Sequence, residues 1–174
     1  MRTKTKLLLL SLLTLIAILP VEAKKYKWVY GSRVPEVYQL SQGQNGRKLV
    51  KAWAIAGNAD KAIMQAKIDA VDATLFYGLP YDASTHGMGV SNLPPLVPPG
   101  AYEANKELFD NFFKKGEFLK YVSDVNSAYP TGENNMSVPG GRRVGINLNI
   151  DYNGLNQWLI DNGVKKALGN HFSN

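Results

Sequence analysis

A chain of 174 residues, 45% apolar, 20% charged and without cysteine, is ordinary globular material, long enough for one packed domain and short for two. That composition excludes a disulfide-stapled miniprotein, a collagen and a disordered tail, and the absence of thiols excludes zinc–thiolate sites, iron–sulfur clusters and cysteine nucleophiles. The formal net charge of +6 is modest.

The first two dozen residues read as a targeting segment. Arg2, Lys4 and Lys6 precede the apolar run Leu7–Leu19, and Val21-Glu22-Ala23 places small residues at both positions of a cleavage site. This is the pattern of a secretory signal peptide, with a run too short to cross a membrane comfortably. Cleavage after Ala23 removes three basic residues and one acid, so the expected mature chain carries 17 basic and 13 acidic residues, a net +4. It would begin at Lys24, where a bacterial lipoprotein needs cysteine. The expectation is an exported protein, periplasmic or extracellular, with no lipid anchor and no transmembrane span after cleavage.

Lys24–Tyr30 is basic and aromatic, suited to a short strand or an arm. Val37–Leu40 predicts a strand, and Asn45-Gly46 is a strong hairpin signal before Lys48–Ala56. The latter is nearly all apolar after Lys51, as a strand covered on both faces would be. Asn58 is placed to cap a helix over Ala59–Tyr77. Ala62, Ala66, Ala70, Ala73 and Tyr77 form a narrow stripe there, with Ile63 beside it, suited to close approach to a sheet. Lys61, Gln65, Asp69 and Asp72 fall largely on the other side. Asp69 and Asp72 stand at i, i+3 and would serve as an acid–base couple if they met a substrate, but a solvated helix surface is the expectation.

Gly78–Gly100 holds five prolines and four glycines and predicts a long loop insertion. Tyr102–Phe113 predicts a helix with Leu108, Phe109, Phe112 and Phe113 on one face, and Phe118–Val122 a further helical turn. Asn126–Gly141 reads as loop. Arg142–Asp151 alternates cleanly, with Val144, Ile146, Leu148 and Ile150 opposite Arg143, Gly145, Asn147 and Asn149. Leu155, Trp158 and Leu159 mark a last helix, stopped near Gly163. The order predicts a single α+β domain of two layers: a small antiparallel or mixed sheet packed by the alanine-rich helix, with the 78–100 insertion and a second helical segment. Its expected core is Trp53, Ile55, Ile63, Ala66, Ala70, Ile146, Leu148 and Trp158.

About half of the chain resembles the LPP20-like family of bacterial envelope proteins. The resemblance lies in Trp28-Val29, the glycine-marked hairpin at Gly43 and Gly46, the alanine-spaced helix Ala59–Tyr77, and the strand Val144–Ile150 leading into Leu155–Leu159. It implies an envelope-associated α+β domain and supplies no catalytic residues. The chain departs from the family at the missing lipidated cysteine and over Gly78–Asn126.

Catalytic patterns are sparse. Asp82, Ser84 and His86 are the residue types of a hydrolase triad, but they crowd into one loop with no nucleophile elbow around Ser84. His86 and His171 are too few for a metal centre, no calcium-loop spacing occurs, and Ser137–Gly145 lacks the lysine of a P-loop. No cofactor is expected. The doublets Lys24-Lys25, Lys114-Lys115, Arg142-Arg143 and Lys165-Lys166 sit near acids and read as solvated surface. Nucleic acid is not an expected partner, and an anionic envelope polymer or lipid head group would suit these bases better. The sequence thus favours a non-enzymatic envelope module that binds a protein or a cell-wall polymer. Its expected contacts are Tyr81, His86, Met88, Leu93 and Leu96 in the insertion, with Phe112 and Tyr121 beyond it. A small exported hydrolase using Asp82, Ser84 and His86 is the alternative. The expected core lies outside Ser84–Pro98, so replacing that stretch by a short link should leave folding intact.

Overall fold

In the computed structural model, which describes residues 29–81 and 91–166, regular structure opens with the expected hairpin. Asn45 (φ 55°) and Gly46 (φ 74°) both take the left-handed backbone that the twist of a tight hairpin requires. They join β1 (Glu36–Gln42) to β2 (Arg47–Ala56), with a register shift between Gln39 and Ser41. Later in the chain come β3 (Val122–Asp124), β4 (Asn135–Val138) and β5 (Gly141–Asp151). β5 pairs antiparallel with the whole of β2, from Arg47↔Asp151 to Ala56↔Arg142. On its other side β5 takes β3 opposite Leu148–Ile150 and β4 opposite Gly141–Val144. The result is one antiparallel sheet of five strands, and the expected α+β class is what the chain adopts.

The helix α1 (Ala59–Asp72) starts where the Asn58 side chain accepts the Lys61 N–H at 2.9 Å. It widens into one π turn, Ala73–Tyr77, closed by Gly78 N–H donating to the Ala73 carbonyl at 2.7 Å. The helix expected over Tyr102–Phe113 is broken at Asn105 into α2 (Ala101–Ala104) and α3 (Lys106–Lys114). The last helix, α4 (Tyr152–Asp161), begins under an Asp151 cap that accepts Gly154 N–H at 2.9 Å. Gly163, at φ 72°, follows its end as expected.

The alanine stripe does what its spacing predicts. Ala62, Ala66 and Ala70 of α1 are fully buried and face Val50, Ala52, Ala54 and Ala56 of β2 with Val144, Leu148 and Ile150 of β5. Phe109, Phe112 and Phe113 of α3 and Leu155 and Leu159 of α4 extend this single layer of packing. Small residues on both α1 and β2 bring backbone close to backbone, and burial of this apolar surface is the main stabilising term.

Four expectations change. β2 is covered on one face only: Ala52, Ala54 and Ala56 take the inward positions, so period two sends Trp53 and Ile55 outward, and Ile55 is 53% exposed. Ile63, Ile146 and Trp158 are half-buried but do pack on the core, whereas Trp53 and Ile55 do not belong to it. Asn126–Gly141 is not loop throughout, because β4 forms a short hairpin with β5. Phe118–Val122 is a 3₁₀ turn (Glu117–Lys120) running into β3, rather than a resumed helix.

The fourth change concerns the Pro/Gly segment, whose described parts are built into the domain. Leu96 N–H donates to Thr74 O at 3.1 Å and Val97 N–H to Leu75 O at 2.9 Å. These bonds satisfy carbonyls that the end of a helix leaves without partners. Leu96 and Val97 are accordingly buried, at 4% and 6% exposure. Leu79 and Leu93 exchange backbone bonds, and Gln39 N–H of β1 donates to Pro80 O at 2.7 Å, which covers that edge of the sheet. Excising Ser84–Pro98 would therefore remove core residues, contrary to the sequence-based expectation.

Candidate functional site

Two polar constructions stand out from this frame. The first lies over α1. Gln65, Asp69 and Asp72 recur at i, i+4 and i+7, and all three are buried, with the two carboxylates 1% exposed. The expectation of a solvated surface is overturned because the arm Val29–Arg33 lies across this face. Val29 N–H donates to Gln65 Oε1 at 3.1 Å, and Gln65 Nε2 returns a bond to Val29 O at 2.6 Å and another to Asp69 at 2.8 Å. Gly31 N–H donates to Asp72 Oδ1 at 3.0 Å, and Arg33 Nη2 meets Asp69 Oδ2 at 2.5 Å. Tyr30 stacks on Phe113 with ring centres 4.6 Å apart, and its hydroxyl donates to Asp110 at 3.2 Å.

Burial dominates the electrostatics here. It raises the Asp72 carboxyl to about 7, against the lowering effect of the Gly31 N–H, with Asp69 adding a further rise and Arg33 a further fall. Burial likewise raises Asp69, offset by Gln65 and Arg33. Tyr30 is pushed to about 12 by burial and then by Asp110. Asp110 itself is held low by Lys106 and Lys114, each bonded to it at 3.0 Å. A proton that leaves Asp72 near neutrality has the chemistry of a general acid or base. However, neither carboxylate lines the clefts beside it, which are walled by Arg33, Glu36 and Trp53 on one side and Phe76, Tyr77 and Tyr102 on the other. This construction fastens the arm.

The second construction is on the outer face of the sheet, which no described helix covers. There the Trp53 ring lies directly on Gly145, whose backbone would place a Cβ 2.6 Å from ring carbon if it had one. The Arg143 guanidinium sits 4.0 Å from the Trp53 ring centre and Lys51 Nζ 4.7 Å from it. Arg143 is also paired with Glu36 at 2.6 Å. Beside this ladder the sheet is interrupted. The β3 pairing ends at Asp124↔Leu148 and the β4 pairing at Asn135↔Val144, so Gly145–Asn147 run past without a strand neighbour on that side. Residues 125–134 arch over the gap and enclose a cleft of about 400 Å³ with Lys51, Ile63, Ile146 and Asn147 in its walls.

The arch is held by hydrogen bonds to its flanks. Arg142 donates to Asn135 Oδ1 at 2.9 Å, to Asn135 O at 2.7 Å and to Ser137 Oγ at 2.6 Å. Asn135 Nδ2 donates to Pro130 O at 3.0 Å, and the Tyr129 hydroxyl to Asp60 of α1 at 3.0 Å. Asp124, at the rim, is bonded to Lys67 at 2.7 Å. Among the described residues, the side chains of Asn126, Ser127, Thr131, Asn134 and Asn147 take no part in this bracing, and Lys51 has no acidic partner.

The residues expected to make contacts are distributed otherwise. Phe112 is 1% exposed and Leu96 is buried, so both belong to the core, and neither offers a contact surface. Leu93 is half-buried against the core, Tyr81 is half-buried beside β1, and Tyr121 packs on Phe112 at 5.9 Å. The structure therefore does not bring these residues together into one surface. His86 and Met88, with Asp82 and Ser84 of the alternative triad, lie outside the described residues, as do His171, Lys24–Trp28 and the expected signal peptide. Among the described residues no group of three or more histidine or acidic side chains is placed to hold a metal ion. The sequence reading missed the arch cleft, although the wet-face series Gly145, Asn147 and Asn149 was its one visible signal. Comparison with family models, curated proteins and solved structures finds no match to this chain.

Proposed function

We propose that this protein is an exported, envelope-associated binding module without a catalytic step of its own, and that it meets a protein or cell-wall partner on the outer face of its sheet. The observation that carries the reading is the arch cleft. Among the described residues, Arg142 and Asn135 brace its walls, while the side chains of Asn126, Ser127, Thr131, Asn134 and Asn147 have no hydrogen-bond partner and Lys51 has no acidic one. Pre-organised, unpaired polar groups lower the ordering cost of binding. The charged start, apolar run and Val21-Glu22-Ala23 support export, the missing cysteine at position 24 argues against a lipid anchor, and the resemblance to the LPP20-like family supports an envelope location. No helix among the described residues is long and apolar enough to cross a membrane.

The test is fractionation of cells that express the full chain with a C-terminal tag. The expected result is material beginning near Lys24 that sediments with envelope fragments, and that loses this association when Asn147→Leu and Thr131→Val are combined. Material beginning at Met1, or sedimentation unchanged by the double variant, would overturn the reading.

A further inference from the structure

We infer that the arch cleft takes one acidic sugar residue of a cell-envelope glycan, with Lys51 as the counter-ion of its carboxylate. The inference rests on the binding-module reading and adds the ligand's chemistry to it.

Charge comes first. Among the described residues, Asp124 is engaged by Lys67, Asp60 by Tyr129, Arg142 by Asn135 and Ser137, and Arg143 by Glu36 and Trp53. Lys51 has no acidic partner among the described residues, and the Trp53 ring holds its ammonium at the cleft wall. One fixed cation suits one anionic group. With both guanidinium groups engaged there is no free planar fork of the kind that recognises phosphate in two places at once.

The remaining lining describes the rest of the ligand. A sugar hydroxyl both donates and accepts, and so do the amides and hydroxyls of Asn126, Ser127, Thr131, Asn134 and Asn147. A pyranose also has an apolar C–H face, and Ile63, Ile146 and Pro130 provide a patch of that kind in the same cleft. The volume, about 400 Å³, falls in the range of small-molecule sites and leaves room for a ring and its substituents. The cleft is partly open to solvent, so one residue of a polymer can enter it.

The probe is peptidoglycan glycan strands stripped of their stem peptides, which carry a free lactyl carboxylate on alternate sugars. The comparison is the same strands with that carboxylate converted to the methyl ester. Calorimetric titration of the purified full chain at low salt should show binding to the acid form and at least tenfold weaker binding to the ester. Lys51→Met keeps the stem on the Trp53 ring and should abolish this preference, with an unchanged thermal melt as the check on folding. Asn147→Leu should weaken both forms. Equal affinity for acid and ester, or a preference that survives Lys51→Met, overturns the inference. Absence of strand binding by a protein that still sediments with envelope fragments overturns the inference and leaves the module reading standing. Failure to sediment at all removes that reading.

Discussion

Replacing Asp72 by asparagine should make the fold less sensitive to pH while leaving the arm in place. The amide oxygen can still accept the Gly31 N–H, now 3.0 Å from Asp72 Oδ1, and the substitution removes only the titration. In the native protein burial raises this carboxyl from 3.8 to about 7. Between those values the folded chain holds a proton that the unfolded chain has released, so stability from this group is full below pH 4 and falls as pH rises to 7. The whole swing is on the order of 4 kcal/mol, more than half of which falls between pH 5 and pH 8. Asp110 is lowered and titrates below that window, and Tyr30 at about 12 titrates above it, whereas Asp69 is coupled to Asp72 and responds to the same substitution. Urea denaturation of wild type and Asp72→Asn at both pH values measures the difference directly. Wild type should lose roughly 2–3 kcal/mol more than the variant on going from pH 5 to pH 8. Parallel pH profiles, or a variant clearly less stable than wild type at pH 8, would show that Arg33 and the arm stabilise the ionised carboxylate more than burial penalises it.

Ala66→Glu forces volume and charge into a fully buried helix–sheet contact and should cost several kcal/mol, read as a large loss in melting temperature or as failure to fold. Leu96→Ala should destabilise by about 2–4 kcal/mol in the same denaturation assay, because Leu96 is a core residue bonded to the end of the helix. A change under 0.5 kcal/mol there would mean that the segment around it is idle. Gly145→Ala would place a methyl group within 2.6 Å of the Trp53 ring and should tilt the ring away, seen as a shift in tryptophan emission and a loss of near-ultraviolet dichroism. An unchanged spectrum would mean that the ring does not rest on the glycine.

The parts of the fold that were legible in the sequence are those set by short-range physics. Asn45-Gly46 had to turn, Asn58 had to cap, and the alternation of Val144–Ile150 had to give a strand with one wet face. Placing Trp53 and Ile55 in the core failed for a reason also written locally: the alanines at 52, 54 and 56 claimed the inner positions, and hydrophobicity alone does not say which parity wins. Asp69 and Asp72 were misplaced because the residues that cover them, Val29–Arg33, lie some 36–41 positions away in sequence, and nothing in the helix announces a lid. The arch cleft was illegible for a similar reason. It exists because two short strands pair with different stretches of β5 and leave three residues between them, a matter of register that no local pattern encodes.

The arm's anchorage also bears on the order in which the chain assembles. The hairpin between β1 and β2 closes over a few residues and needs nothing else. The arm must wait, because its acceptors on Gln65, Asp69 and Asp72 are brought into line only by the finished turns of α1, and the dry setting arises only once α1 has docked. Tyr30 has its ring partner only after α3 has delivered Phe113. The arm, Val29–Arg33, therefore precedes in sequence every element it is fastened to and depends on all of them. Releasing the arm would open Gln65, Asp69 and Asp72 to water together, so one latch keeps three polar side chains of α1 dry.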